Sequence, residues 1–267
     1  MIITLCQINL QPGNIQHNLD RARQALNEAI AQGSQLALLP ELWSSGYDLP
    51  NAHLQSQLTP EILAELTEIS HQAQLTIGGS LLEHSENQLY NTFSLIQPDS
   101  PVVSYRKTHL FRRMAEHRWL SPGQQAVMTR LGDFQTGISI CYDLRFPELY
   151  RSYALHGVTL FLICAEWPTR RIEHWNTLLR ARAIENQAFV IAVNTVGFSG
   201  SAEYGGCSAV ISPWGETLLQ SSATEEAVLT CEIDPAQLTT VRNHLSVFSD
   251  RRPEVYDLPP SSLPETN

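Results

Sequence analysis

Gly137-Ile138-Ser139-Ile140-Cys141-Tyr142-Asp143-Leu144-Arg145-Phe146-Pro147-Glu148-Leu149 carries a strand into a helix through a polar turn. The apolar run Ile138-Ser139-Ile140 ends a buried strand. Pro147 stands at a first helical position, and the helix continues to His156, where Gly157 stops it. Cys141 sits at the junction. A side chain there is exposed on a rigid scaffold beside the free N–H groups of a helix start, which favour thiolate over thiol. A lone cysteine beside a strand is more often a small buried hydrophobe, and this stretch alone favours that reading. The surrounding chain has to decide between the two.

Upstream, Ile2–Ile8 is a first strand. Gln16–Gln32 has helical spacing at Leu19, Ala22, Leu26, Ala29 and Ile30, closed by Gly33. Leu36–Leu39 is wholly apolar, as a strand covered on both faces would be, and Pro40-Glu41 ends it. Thr59-Pro60-Glu61 opens a helix to about Gln74. Leu75–Leu82 and Tyr90–Ile96 form a hairpin across the polar turn Glu83–Gln88. Val102–Lys107 is another strand, and residues 108–126 form a long aromatic loop, a length that goes with function. Downstream, Thr159–Cys164, the helix Glu173–Gln187, Phe189–Asn194, Cys207–Ile211 and Ala227–Ile233 complete the alternation. A helix from Asp234-Pro235 fades into a polar tail from about residue 259. With no linker and no repeat of fixed period, one α/β domain over residues 1–267 is the economical organisation.

Composition narrows the function. The 267-residue chain is 43% hydrophobic, enough for a full core, and its net charge of -10 disfavours nucleic acid and anionic membranes as partners. Five widely spaced cysteines contain no Cys-x-x-Cys pair, so neither a disulfide scaffold nor a structural zinc site is expected. A reducing, cytoplasmic setting is the default. Met1–Leu5 enters a strand with no basic segment before it, so no secretory leader is expected. No apolar run approaches the ~18 residues of a membrane span. The nine histidines show no paired metal spacing, and no Gly-x-Gly-x-x-Gly or Walker pattern occurs, so neither metal nor cofactor is expected.

Three polar residues stand at the ends of apolar strands: Glu41, Lys107 and Cys141. Ligands of open α/β sheets bind outside the carboxyl ends of strands. Singly, each has a bland explanation, Glu41 as a surface carboxylate and Lys107 as a solvated strand end. Together they are a base, a cation and a nucleophile. A thiol needs a base, a tetrahedral intermediate needs donors at its oxyanion, and an acyl-thioester is then hydrolysed by water. Lys107 and the backbone N–H of Tyr142 would serve the oxyanion. His109 is a competitor to Glu41 as base. His156, about four turns along at ~1.5 Å per residue, is out of reach. Asp143 and Arg145 are expected to fix the turn.

Pro40-Glu41-Leu42, Arg106-Lys107-Thr108-His109-Leu110-Phe111 and Ile140-Cys141-Tyr142-Asp143-Leu144-Arg145-Phe146-Pro147-Glu148 resemble, in order, the three signature segments of the nitrilase (carbon–nitrogen hydrolase) superfamily. The resemblance runs from the first strand to about Glu254. It implies a four-layer αββα sandwich, with Glu41 as general base, Lys107 at the oxyanion, Cys141 as nucleophile and Glu116 as a second glutamate positioning Lys107 and substrate. Ala165-Glu166-Trp167-Pro168 and the helix His174–Gln187 are similar to the omega-amidase branch. That likeness implies hydrolysis of the side-chain amide of 2-oxoglutaramate or 2-oxosuccinamate, and a bacterial link to methionine salvage. A distal substrate carboxylate calls for a cation, for which Arg170 and Arg171 are candidates, with Tyr47 and Trp167 as walls. Nitrile or N-carbamoyl hydrolysis on the same site, or a non-catalytic binding or assembly module, stay open at this point. The resemblance also implies a homo-oligomer, at least a dimer; the aromatics Tyr150 and Tyr153 and the segment Val241–Tyr256 are candidate contact surfaces, with packing inside the chain as the alternative for those aromatics.

Overall fold

The computed structural model describes residues 1–199 and 202–256; the polar tail expected from about residue 259 lies outside them. Its elements are β1 (Ile2–Gln7), α1 (Ile15–Ala31), β2 (Leu36–Leu38), α2 (Ala52–Ser56), α3 (Thr59–Ala73), β3 (Thr76–Ser85), β4 (Gln88–Ile96), β5 (Val103–Arg106), β6 (Met128–Leu131), β7 (Phe134–Ile140), α4 (Pro147–Leu155), β8 (Leu160–Ala165), α5 (Ile172–Asn186), β9 (Phe189–Asn194), β10 (Val196–Ser199), β11 (Ala202–Gly205), β12 (Ala209–Ile211), β13 (Thr217–Gln220), β14 (Ala227–Glu232) and α6 (Ala236–His244).

The strands make two six-stranded mixed sheets, ordered β14-β1-β2-β3-β4-β5 and β13-β12-β9-β8-β7-β6, with β10-β11 as a separate hairpin. Each sheet has a parallel trio at its heart, β1-β2-β3 in one and β7-β8-β9 in the other. Antiparallel strands complete both edges. Parallel neighbours require crossovers, and the helices supply them: α1 joins β1 to β2, α4 joins β7 to β8, and α5 joins β8 to β9.

Period-two alternation assigns each strand residue a layer. Leu36 and Leu38 face the other sheet, where they meet Leu160, Leu162 and Phe189. Ala37 and Leu39 face the opposite way, onto Leu26 and Ala29 of α1 and Ile62 and Leu66 of α3. In the second sheet Phe161 and Ile163 turn to α4 and α5, against Tyr150, Trp175 and Leu179. The order is therefore helices, sheet, sheet, helices, the four layers that the sequence resemblance implies. The first hairpin is tighter than the polar run Glu83–Gln88 suggests. β3 and β4 pair as far as Ser85 and Gln88, and Glu86 and Asn87, at φ 50° and 64°, form a two-residue turn.

One expectation is overturned. Tyr150 and Tyr153 are 0% and 1% exposed, so they are no contact surface. They form the buried face of α4, spaced i,i+3, and each hydroxyl is satisfied inside: Tyr150 Oη lies 2.6 Å from Ser139 Oγ, and Tyr153 Oη donates to the Ile138 carbonyl at 2.8 Å. Both bonds tie α4 to β7, the strand that leads to Cys141. Replacing Tyr150 with phenylalanine leaves Ser139 without that partner in a dry layer. An unpaired buried group costs about 1–3 kcal/mol, so Tyr150→Phe is expected to lower the urea unfolding free energy by that amount with an unchanged denaturant slope.

Candidate active site

Four segments from strand ends converge at one end of the sandwich. Pro40 stops β2, and residues 41–47 wrap into consecutive turns in which the Ser45 and Gly46 N–H groups both donate to the Leu42 carbonyl at 2.9 Å. Leu42 adopts φ 41°, and its N–H is held by Ser80 Oγ at 2.8 Å, which anchors the turn to β3. Glu41 is thereby turned inward and is fully buried. Lys107 follows β5. Its N–H donates to the Asn91 carbonyl and its carbonyl accepts from Gly123 N–H, both at 2.8 Å. A Cβ at position 123 would lie 2.1 Å from the Arg106 carbonyl oxygen, so glycine alone permits that approach.

The long loop after Lys107 contains two 3-10 turns, Arg112–Met114 and Glu116–Arg118, joined through Ala115 at φ 57°. It returns Glu116 to the interior, where Glu116 Oε2 accepts the Phe111 N–H at 2.8 Å. Cys141 begins a 3-10 turn over Cys141–Arg145, at φ 44°, a strained value for a residue with a side chain. Asp143 holds that turn. Its carboxylate accepts the Ile140 N–H at 2.9 Å, the His109 N–H at 3.0 Å and the Tyr105 hydroxyl at 2.7 Å. His109, considered as a base, is engaged here as well: its Nδ1 lies 2.8 Å from Asp143 Oδ1 and its ring stacks on Phe146. Asp143 fixes the turn as the sequence indicated.

The centre is a buried ammonium between two carboxyl groups. Lys107 Nζ lies 2.7 Å from Glu41 Oε1 and 2.7 Å from Glu116 Oε1, and all three side chains are 0% exposed. Glu41 accepts two further bonds, from Asn91 Nδ2 at 2.8 Å and from the Glu166 N–H at 2.9 Å. Cys141 Sγ lies 3.9 Å from the Glu166 carbonyl oxygen. Burial alone would lower the Lys107 ammonium; Glu41, followed by Cys141, outweighs it and the net shift is upward. Burial, then the charge of Glu41, drives Glu116 well above the ordinary carboxylate range. Cys141 retains some exposure as a residue. Burial nevertheless pushes its thiol well above the usual value, Glu41 adds to the rise and Lys107 opposes it. These groups favour the thiol, and the helix start that would favour thiolate is set apart from it, because the 3-10 turn separates Cys141 from α4, which begins only at Pro147.

Above this floor lies a narrow cleft. Tyr47, Phe111, Tyr142, Trp167 and Pro168 line it, and Arg145 and Arg171 enter it. Of the pocket residues taken from sequence, Tyr47, Tyr142 and Trp167 are there. Arg170 is not: it is exposed and its neighbour Arg171 lines the cleft instead, because the 3-10 turn Thr169–Arg171 points successive side chains in different directions. Arg171 lies over the Phe111 ring at 5.2 Å and Arg145 over the Trp167 ring at 4.7 Å. Arg145, assigned from sequence to the turn alone, therefore also faces the cleft. The sequence alone does not single out Asn91, Glu166 or Asn194 as parts of the site. A polar residue inside an apolar strand was the available signal for Asn91. Asn194 clamps the segment after β8, accepting the Trp167 N–H at 2.6 Å and donating to the Trp167 carbonyl at 3.1 Å. A larger open groove beside Tyr90 and Arg106 is lined by no cysteine. Among the described residues no cluster of histidine, cysteine and acidic side chains is arranged to hold a metal ion, and no helix is long and apolar enough to cross a membrane.

The chain matches the carbon-nitrogen hydrolase family over residues 2–243. It is 34% identical over 258 residues to 2-oxoglutaramate amidase of Bacillus subtilis (strain 168), covering 95% of this chain and 98% of that one. In structure it is similar to a CN-hydrolase superfamily protein of Xanthomonas campestris with an arsenic adduct in its active site, at TM-score 0.89 and 30% identity, covering 94% and 97% of the two chains. It is also similar to an amidase of Nesterenkonia, at TM-score 0.84 and 28% identity, covering 96% and 98%. That structure is of a glutamate-to-glutamine variant and carries acrylamide added to the active-site cysteine.

Removing the central ammonium leaves two carboxyl groups facing each other without a counterion. Breaking a buried ion pair from one side costs about 3–5 kcal/mol, so Lys107→Ala is expected to destabilise by that amount in urea unfolding; a loss below about 1 kcal/mol would contradict a buried pair.

Proposed function

As a member of the carbon–nitrogen hydrolase family, the chain is an amidase acting through a cysteine, and we propose that its substrate is a short carboxamide bearing a carboxylate at the far end, 2-oxoglutaramate or 2-oxosuccinamate. The observation that carries this reading is the pair of guanidinium groups at a cleft whose floor is Cys141. Arg145 and Arg171 are each laid across an aromatic ring of the wall. Arg171 is drawn below its ordinary value by burial and then by the neighbouring cations Arg170 and Arg145. An anion placed between them relieves that repulsion, and a guanidinium–carboxylate contact is directional and strong. The chain is acidic overall, with a net charge of -10, so this local cluster of cations runs against the charge of the whole. The similarity to 2-oxoglutaramate amidase supports the same choice.

The proposed mechanism follows from the geometry. Cys141 Sγ attacks the amide carbon while Glu41 takes the thiol proton. A resting thiol suits this, since nucleophile and base then act together. The oxyanion forms beside Lys107 Nζ and the Tyr142 N–H. Glu41 returns the proton to the nitrogen, the C–N bond breaks and ammonia leaves. Water, deprotonated by Glu41, then attacks the thioester, releasing the carboxylate and restoring the thiol. Glu116 holds Lys107 in place from the other side.

Ammonia release across 2-oxoglutaramate, glutamine, an N-carbamoyl compound and an aliphatic nitrile separates this reading from its neighbours; carbamoyl hydrolysis also yields carbon dioxide. Cys141→Ala is expected to abolish turnover while keeping the thermal midpoint within a few degrees of the parent, and residual activity above about one thousandth would remove Cys141 from the role of nucleophile.

Hydrogen bonds to charged groups contribute about 1.5–3 kcal/mol, so Arg171→Ala is expected to raise KM for 2-oxoglutaramate at least about tenfold, and KM for a neutral short amide less than about twofold. An equal rise for both would count against carboxylate recognition.

A further inference from the structure

Glu166 follows directly on β8 and is 3% exposed. Its backbone N–H donates to Glu41 Oε2 at 2.9 Å and its carbonyl faces Cys141 Sγ at 3.9 Å. One peptide segment therefore spans the base and the nucleophile. Asn194 and the Gly205 N–H hold the Trp167 carbonyl that follows, at 3.1 and 3.2 Å, and Pro168 bridges to Tyr204. The side chain is another matter. Glu166 Oε1 is buried without a hydrogen-bond partner among the described residues, and so is the hydroxyl of Tyr204, itself 3% exposed. Tyr204 favours the ionised form of Glu166, against the burial that opposes it.

We propose that Glu166 is a positioning residue of the amidase site, its peptide unit fixing Glu41 against Cys141 and its carboxyl, backed by Tyr204, standing as a neutral acid beside the base. The inference rests on the reading above for the roles of Glu41 and Cys141 alone. The groups that act on Glu166 are Glu41, Lys107 and Tyr204, with Cys141 and Glu116 beyond them. Lys107 is the only cation among them, and its ammonium is already engaged by Glu41 and Glu116. A second carboxylate charge in this dry space would face Glu41 without a free counterion. Burial, and then Glu41, accordingly push Glu166 well above the ordinary carboxylate range. A proton on Glu166 preserves one negative charge for the step in which Glu41 receives the thiol proton.

The consequence for stability has a definite sign. In the unfolded chain Glu166 ionises near the ordinary carboxylate value; in the fold it keeps its proton to a higher pH. Between those two values the folded state holds the extra proton, so stability falls as pH rises. Glutamine at this position imitates the neutral acid and removes that slope. The thermal midpoint of Glu166→Gln is therefore expected to gain on that of the wild type between about pH 5 and about pH 8. Tyr204→Phe removes the hydroxyl that eases ionisation, so its decline is expected to run on to a higher pH than the wild type's.

The positioning role is read from the rate at which iodoacetamide alkylates Cys141. Glu166→Ala is expected to slow it more than about tenfold, and Glu166→Gln to restore it to within about threefold of the wild type. A midpoint difference that stays flat with pH, or a glutamine variant as slow as the alanine one, would overturn the proposal. Should Glu166→Ala not fold, the glutamine variant and Tyr204→Phe still decide it: an unaltered pH dependence in both refutes the neutral acid. None of these measurements needs an amide substrate. Failure to hydrolyse any amide would therefore count against the proposed function and leave this inference standing.

Discussion

One ammonium group enclosed by protein determines how this site is built. Lys107 Nζ sits 2.7 Å from a carboxyl oxygen on each side, with no exposure of any of the three side chains. Taking an ion out of water costs several kcal/mol even after relaxation, and only close, well-directed partners return it. The partners must therefore be rigid. Glu41 is held by Asn91 and by the Glu166 N–H, and Glu116 by the Phe111 N–H. Both sheets contribute to this enclosure: Lys107, Asn91 and Glu41 come from the first, Cys141 and Glu166 from the end of the second. The facing apolar layers of the sandwich are what set the distance between those two groups.

The same enclosure fits the proposed route through a thiol and a base rather than through a standing thiolate. Buried carboxyl groups crowd Cys141, and each raises the energy of further negative charge. On that proposal, charge leaves the sulfur as it forms, passing to a substrate carbonyl and balanced at Lys107. The strained backbone at Cys141 and the Asp143 bonds that support it hold the sulfur at the cleft floor.

Much of this was legible in the sequence, for local reasons. Apolar runs broken by Pro40, by Lys107 and by Cys141 located strand ends, and strand ends locate sites in α/β sheets. What was not legible depends on pairing between distant segments. Asn91 reads as one polar residue in a strand; that its amide reaches Glu41 depends on the neighbouring strands and on the turn after β2. Arg170 and Arg171 are indistinguishable as a dipeptide, and the phase of a single 3-10 turn decides which faces the cleft. Glu166 resembles any carboxylate after a strand until its backbone is seen between base and nucleophile. Tyr150 and Tyr153 are a different case, since their i,i+3 spacing already marked one face of α4, and the face turned inward.

The contacts that define the site join residues far apart along the chain: Glu41 and Lys107 are separated by 66 positions, Glu41 and Glu166 by 125. Contacts of such long range form only after the intervening loops have closed, and folding slows as their share increases. A growing chain therefore carries Glu41 and Lys107 well before the strand that brings Glu166 and the end of β8 exists. Until then Glu41 lacks the N–H that completes its setting. Assembly of the catalytic floor is in this sense a late event that reports on the docking of both sheets, and no fragment ending short of Glu166 can reproduce it.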